Sequence, residues 1–493
     1  MWLNFIKSNT SKYLVSPYLS ILVFFLWRLP NTRTGLADAY QFRQTQTAWG
    51  IREVERNGIN FLHLRMPVLG EPFEVPFEFP LFQNIAGFFS ILTSFSPSTS
   101  GRIVSLFFYC VSLALLVYLA KELFKKNYFL FFLPLFTITP FAIEWSNAVL
   151  IESSAVFCVL LALVFVNKFL ATNQIVYGIG TLVFLSLAAL VKITTAIPLS
   201  FFLILFLVLK SKNRILGKPV LISFLILILS LLPAVLWTLH ADSIKSRNPW
   251  AEWLTSNNLR TWNFGTINSR FELSNLQAIG GRLWIIGGLI LFWAFVYLLW
   301  KSRKDLRAWI ITLGAFSPIL VYFNLYVVHD YYFLAVCPFI FLACAYLWEN
   351  LDANRKYVNK ERTVGAIVLL TVVLSWVLQV PQRNYLDILR MPRNAIPELS
   401  QIISFHTKAT DKILVVGCDW DPTVLYYADR YGIASPGKFG GVQSVLDFLA
   451  TTPNRLDYSY LATCPGTVMP DVLTGAEVKP IAANFYGLRF TNN

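Results

Sequence analysis

Charge is scarce in this chain of 493 residues. Lys, Arg, Asp and Glu together make up 14% of it, and only 27 residues are acidic. A soluble protein of this length splits into domains whose surfaces carry charge. With 56% hydrophobic residues and a mean hydropathy of +0.56, the chain cannot hide its apolar surface from water, so lipid is its main solvent. The six cysteines show no metal-ligand spacing. There is no GxGxxG fingerprint, and so no nucleotide is assigned. No segment repeats at a period of 20–50 residues, and none is of low complexity. No small-residue cleavage site follows the first apolar run. Pro30-Asn31-Thr32-Arg33 stands there instead, so that run is read as a retained span.

What is present is a series of apolar runs long enough, or nearly so, to cross a bilayer. They lie at 13–29, 102–120, 127–143, 148–167, 175–192, 194–210, 219–239, 282–300, 307–325, 331–349 and 363–380. A shorter run at 80–95 follows a proline-rich stretch and reads as a re-entrant or interfacial helix. The net charge is +14, and the basic residues cluster in the short loops 121–126, 210–218, 301–307 and 355–362. The positive-inside rule puts those loops in the cytoplasm, joined by Lys7 and Lys12 at the N-terminus. That explains the charge and excludes nucleic acid as a partner. The first loop (31–101), the loop 241–281 and the tail 381–493 are then outside.

In the first loop, 37–57 reads as a helix with Asp38 near its positive N-terminal end. Segment 71–80 carries three prolines and must be largely extended. The tail changes character. Strand patterns at 412–417 and 456–464 and helices at 421–431 and 442–451 make a small α/β unit. The expected fold is an all-α polytopic membrane protein of about eleven transmembrane helices. Residues 1–380 form the transmembrane domain with the long outer first loop, and 381–493 form the outer α/β domain. Cys110, Cys158, Cys337 and Cys344 lie in apolar runs and serve packing. Cys418 and Cys464 lie in the tail, where they form either a disulfide or two free thiols.

A charge near hydrocarbon is costly unless it is needed, and this topology gathers several on one face. Asp38 lies near Arg43 and Gln44. Its carboxylate could act as a base, while Arg43 has the fork geometry for a phosphate. Glu78 stands alone among aromatics and prolines, which is disfavoured unless it is paired or functional. Glu144 and Glu152 flank an outer turn, with Glu152 just inside the next helix. Lys192 sits at an outer helix end, where it either snorkels to the headgroups or binds an anion. His329 and Asp330, followed by Tyr331 and Tyr332, start a span and could bind an anion, orient a sugar or complete a metal site. One His with scattered carboxylates is a weak metal signal. Each group alone has an ordinary structural explanation. Together they are more than a structural membrane protein needs.

These residues resemble a known family. Asp38 followed by Phe42-Arg43-Gln44-Thr45-Gln46-Thr47-Ala48, then Glu78-Phe79-Pro80-Leu81, is similar to the first outer loop of bacterial GT-C glycosyltransferases. Within that group the residues resemble the protein O-mannosyltransferase and aminoarabinose transferase superfamily. Segment 146–152, Lys192, 329–332, Asp419-Trp420-Asp421-Pro422 and Tyr426-Tyr427-Ala428-Asp429-Arg430 extend the likeness over most of the chain.

The resemblance implies an inverting transferase in the cytoplasmic membrane, with its C-terminal domain in the periplasm. The donor is a sugar on a polyprenyl phosphate, and the acceptor is a glycan, lipid or protein hydroxyl. It implies catalytic roles for Asp38, Glu78 and Glu152, and donor-phosphate binding by Arg43 and Lys192. Gln44, Glu144, His329, Asp330 and Tyr332 are left to contact substrate. Where relatives use a divalent metal, a carboxylate and a His share it, and Glu78 with His329 is that pair here. The chain departs from the family in two places. Ala37 and Ala39 flank Asp38 where a second acid is common, and the acid-Lys-Pro-Pro segment reads Glu78-Phe79-Pro80-Leu81. A transporter or flippase would want charges at mid-membrane and interrupted, repeated helices. A polysaccharide polymerase or ligase would prefer a large Arg- and His-rich outer loop late in the chain. Neither pattern is present.

Overall fold

A computed structural model describes residues 17–123, 127–196, 218–301, 303, 306–352, 360–383, 396–470 and 472–491. In chain order these form α1 (Pro17–Arg28), α2 (Gln41–Asn57), α3 (Leu81–Thr93), α4 (Pro97–Leu123), α5 (Pro140–Trp145), α6 (Glu152–Thr172) and α7 (Ile175–Val191). Then come α8 (Lys218–Lys245), α9 (Arg260–Phe264), α10 (Leu273–Lys301), α11 (Leu306–Val321), α12 (Phe323–Val328), α13 (Phe333–Asp352) and α14 (Lys360–Arg383). The tail adds α15 (Glu398–His406), β1 (Lys412–Val416), α16 (Thr423–Ala428), β2 (Gly432–Ala434), α17 (Val442–Ala450), β3 (Tyr458–Thr463), β4 (Ala476–Ala482) and β5 (Phe485–Phe490). The described residues fall into two compact units. One draws on Met1–Thr32, Ile103–Leu236 and Arg260–Arg390, and the other on Arg33–Arg102, Trp237–Leu259 and Met391–Asn493.

The first unit is helical. Among the described residues, Pro97–Glu122, Glu152–Thr172 and Leu221–Lys245 are long and apolar enough to cross a membrane, by length and composition. Ile175–Val191, Thr312–Val321 and Ala366–Leu378 are apolar but shorter. The expected run at 194–210 lies largely outside the described residues. Two expected spans are not continuous α-helices. Residues Asn127–Phe136 are 3₁₀, with Pro134 inside, and α5 restarts at Pro140 behind a Thr139 cap. Proline lacks the donor that would carry an α-helix through either point. The run 307–325 is split between α11 and α12 at Tyr322, four residues after Pro318. Helices α6 and α7 form a hairpin through Asn173 in the left-handed region. They pack closely because Gly180 has no side chain: a Cβ there would lie 2.8 Å from the Phe165 ring.

The second unit is built on a five-stranded sheet of order β2-β1-β3-β5-β4. Strands β2, β1 and β3 run parallel, whereas β5 is antiparallel to β3 and to β4. Segment 67–70 of the first loop covers the edge strand β2. Gly432 N donates to Pro67 O at 2.8 Å, Ala434 N to Val68 O at 2.8 Å and Gly70 N to Gly432 O at 3.2 Å. A paired edge no longer invites another chain. The same core joins Val68, Leu69 and Val75 of the loop, Trp250 and Leu254, and the strand residues Leu414, Val415 and Leu461. Loop and tail therefore share one hydrophobic core. Helix α3 sits on α2 where Gly87 leaves space. A Cβ there would lie 2.4 Å from that of Val54.

Strands β1 and β3 and helix α17 lie where the sequence places them. The expected helix at 421–431 is shorter, since Asp429 is left-handed (φ 57°) and ends α16. β2, β4 and β5 carry no clear signal in the sequence. The helix expected from 37 begins at Gln41, because Tyr40 is itself left-handed at φ 54°. Asp38 thus lies in the turn before α2 and not in its first turn.

Candidate functional site

In the loop-and-tail unit Asp38 is held by Arg102 and Gln44. Its Oδ2 lies 2.7 Å from Arg102 Nη2, and its Oδ1 accepts from Gln44 Nε2 at 2.5 Å. Arg102 is 1% exposed while Asp38 is 20% exposed, so the cation is a buried anchor and the carboxylate faces outward. Arg102 also donates to the carbonyls of Thr34 and Gly35, which fixes the turn that carries Asp38. Gln44 donates in turn to Ala39 O at 2.8 Å. Tyr427 OH accepts from Leu36 N at 2.8 Å. Burial pushes the Tyr427 phenol up, and the Asp38 charge adds to this against the Arg102 charge, so it stays a neutral partner.

One helical turn on, Arg43 donates to Gln46 Oε1 at 2.6 Å and lies 3.5 Å from Glu78 Oε1, both side chains about one-quarter exposed. The lone Glu78 of the sequence is therefore a paired Glu78. Helix α2 is held on α16 by Arg52 and Arg56, which bind Asp429 at 3.0 and 2.6 Å. The Tyr431 hydroxyl donates to Glu53 at 2.5 Å, and Thr45 and Thr423 share a bond of 3.2 Å.

The helical unit holds a second cluster. Lys192 caps the C-terminal end of α7, and Glu152 opens α6. The Lys192 ammonium is 2.7 Å from Glu152 Oε1, with side chains 4% and 2% exposed. The approach is a close ion contact off the line of a hydrogen bond. The same ammonium lies 4.4 Å from the Tyr332 ring centroid. His329 stacks on Tyr332 at 5.7 Å and lies 5.2 Å from Tyr331. Asp330, also buried, sits one residue before this pair of tyrosines and opens the turn into α13. Glu144 is buried in α5. The neighbouring Asn147 accepts from Arg28 Nη2 at 3.1 Å, and Arg28 also binds Ile143 O at 2.8 Å.

Asp38, Arg43, Gln44 and Glu78 thus meet in one unit, and Glu144, Glu152, Lys192, His329, Asp330 and Tyr332 belong to the other. Glu78 and His329, the pair named for a metal, are divided between them. Among the described residues no three His, Cys, Asp or Glu side chains converge as a metal cage would require. One partner of Glu78 in its own unit is the Arg43 guanidinium. Sequence reasoning missed Arg102, Tyr326 and Arg282. An arginine at the start of an apolar run was the available signal for Arg102. Arg282 likewise opens an apolar run, and it clamps the carbonyls of Tyr326, Val327 and Val328 ahead of His329. Tyr326 carried none, because an apolar run conceals a tyrosine. In the structure it is fully buried beside Tyr332, and its hydroxyl has no hydrogen-bond partner among the described residues.

Residues 75–237 match the family model of dolichyl-phosphate-mannose-protein mannosyltransferases. That stretch contains Glu78, Arg102, Glu144, Glu152 and Lys192. No curated protein sequence matches the chain. Among solved structures it resembles ArnT from Cupriavidus metallidurans bound to undecaprenyl phosphate, with a TM-score of 0.60 and 12% identity over 97% of this chain and 98% of that one. It also resembles the apo oligosaccharyltransferase of Archaeoglobus fulgidus, with a TM-score of 0.52 and 14% identity over 92% of this chain and 69% of that one. A third match is AglB of Archaeoglobus fulgidus in complex with an inhibitory peptide and a dolichol-phosphate, with a TM-score of 0.53 and 12% identity over 90% and 69%. These TM-scores establish a shared fold. The chain thus has the fold of membrane glycosyltransferases of the GT-C type, as its sequence motifs lead one to expect.

Proposed function

We propose that this chain is an inverting GT-C glycosyltransferase of the cytoplasmic membrane, which moves a sugar from a polyprenyl phosphate to an acceptor hydroxyl at the outer face. The observation that carries the proposal is Asp38, a partly exposed carboxylate aimed by a fully buried Arg102 and by Gln44. A base needs that opening and that fixed aim. The family match over 75–237 supports the reaction class, and the likeness to a protein bound to undecaprenyl phosphate supports a lipid-phosphate donor.

In this mechanism the acceptor oxygen attacks the anomeric carbon of the donor sugar and gives its proton to Asp38. The bond from that carbon to the phosphate oxygen breaks, and its electron pair leaves with the polyprenyl phosphate. Inversion follows from attack on the face opposite the leaving group. Within the loop-and-tail unit Arg43 meets the charge that grows on the phosphate, and within the helical unit Lys192 is the residue assigned to phosphate. Glu152 and Glu78 are their counter-ions when no phosphate is bound, which keeps either cation from standing alone in a poorly solvated place. Gln44 positions the base. Tyr332, His329, Asp330 and Glu144 contact the substrate. The N-terminus is inside, and the tail domain is outside.

The test is turnover of a labelled polyprenyl-phosphate sugar by the purified protein beside Asp38→Asn. Transfer or slow hydrolysis by the wild type alone supports both the class and the base. Equal turnover by both keeps the class and moves the base to Glu78 or Glu152. No turnover with any of several such donors removes the proposal and favours lipid-glycan transport.

A further inference from the structure

The sheet of the tail has a reversal in its strand order. The chain goes from β1 to β2 on one side and then to β3 on the other side of β1. In open parallel sheets ligands bind outside the carboxyl ends of the strands where the order reverses. The loops at those ends are tied together here. Cys418, after β1, is disulfide-bonded to Cys464, after β3, with Cα atoms 5.6 Å apart. Asp419 Oδ1 accepts from Gly437 N, after β2, at 2.6 Å, and Asp419 itself is left-handed at φ 53°. A loop so closely determined holds its next residue, Trp420, in one place.

Trp420 is half-buried and meets three other rings from separate segments. Phe42 lies edge-on at 4.7 Å, Phe77 at 5.5 Å and Trp253 edge-on at 5.7 Å. None of the four is fully buried. Phe42 and Phe77 are the immediate chain neighbours of Arg43 and Glu78, so the ring cluster continues the Asp38 region within the same unit. Two exposed charges of opposite sign border it: the Asp419 carboxylate, and Lys438, whose ammonium lies 5.7 Å from the Trp253 ring centroid.

We infer that this aromatic cluster and Asp419 form a saccharide-binding platform, and that the acceptor docks there through a sugar. Aromatic faces attract the polarised C–H face of a pyranose. A carboxylate accepts hydroxyl protons in strong short bonds. The opposed charges of Asp419 and Lys438 disfavour a strongly anionic or cationic ligand and suit a neutral polyol. Asp421, held above the usual carboxylate range by burial, adds a further polar group beside the same loop. The role of acceptor site rests on the transferase proposal, but the platform itself does not.

The experiment is retention of the full-length purified protein on an array of bacterial envelope saccharides and of peptides of matched length. Expected is retention on a subset of saccharides and none of the peptides. Trp420→Ala should lower it about ten-fold, while Trp420→Phe, which keeps a ring, stays near the wild type. Asp419→Asn keeps the left-handed backbone and the acceptor for Gly437, and should also weaken retention about ten-fold. No saccharide retention, retention of peptides instead, or equal retention by all variants overturns the inference. So does equal loss in Trp420→Phe and Trp420→Ala, the mark of packing alone. Wild-type donor hydrolysis is measured on the same preparation. Trp420-dependent retention without donor hydrolysis would remove the transferase and leave the platform standing.

Discussion

Arg102 is an arginine whose side chain is almost wholly enclosed, with its charge met by one carboxylate and two carbonyls. Only the planar fork of a guanidinium serves all three. Arg102→Lys should keep the charge but lose the aim of Asp38, with kcat falling about 100-fold and donor KM nearly unchanged in steady-state kinetics. Lys192 and Glu152 are both buried, so removing one leaves the other's charge exposed to low dielectric. Lys192→Met should cost about 3–5 kcal/mol in denaturant unfolding and weaken donor binding more than acceptor binding. The double variant Lys192→Met, Glu152→Gln should recover most of that stability but not the donor affinity. Recovery of both would remove Lys192 from the phosphate site. The identities of Asp38, Glu78, Glu152 and Lys192 were legible because charge is rare in apolar sequence. Their partners were not, since Arg102 and Asp38 are 64 residues apart.

At the scale of elements, α2 and α16 are clamped by Asp429, which ends α16 and takes both Arg52 and Arg56. Burial alone would raise the Asp429 carboxyl, but the bond from Arg56 and the charges of both arginines outweigh it and hold it below the usual range. A depressed carboxylate contributes stability above the unfolded value of about 3.9, lost as the pH falls through the lower folded value. Thermal unfolding of the wild type should therefore weaken in acid below about pH 4 more steeply than that of Asp429→Asn. Asparagine tolerates the left-handed backbone and loses only the charge. At neutral pH it should cost no more than about 1 kcal/mol, because the pair is part-exposed. Helices with strong apolar periods were legible at this scale. The breaks at Pro134–Pro140 and near Tyr322 were misread as continuous spans, since hydropathy averages over a proline. Strands β4 and β5 were missed because they are half-exposed and mixed in composition.

At the scale of the whole molecule, the tail was expected as a separate domain, yet it shares a core with the first loop. The Cys418–Cys464 disulfide closes a separation of 46 residues within that unit. Cys418→Ser should lower its unfolding free energy by about 4 kcal/mol in urea, on the chain-entropy account. A membrane-impermeant label at residue 450 of intact cells tests the proposed orientation. Labelling from the cytoplasmic side would overturn it.

Composition and local pattern are enough to say that the chain is rich in apolar spans, how its basic loops are distributed, and which ionisable residues stand out against apolar sequence. Those are local facts, set by composition and by the price of a charge near hydrocarbon. The pairing of Arg102 with Asp38, of Glu152 with Lys192, and of residues 67–70 with β2 emerges only once the chain is folded. Each of these depends on segments brought together from far along the chain, and the hydrophobic pattern of a segment does not say which other segment will cover it.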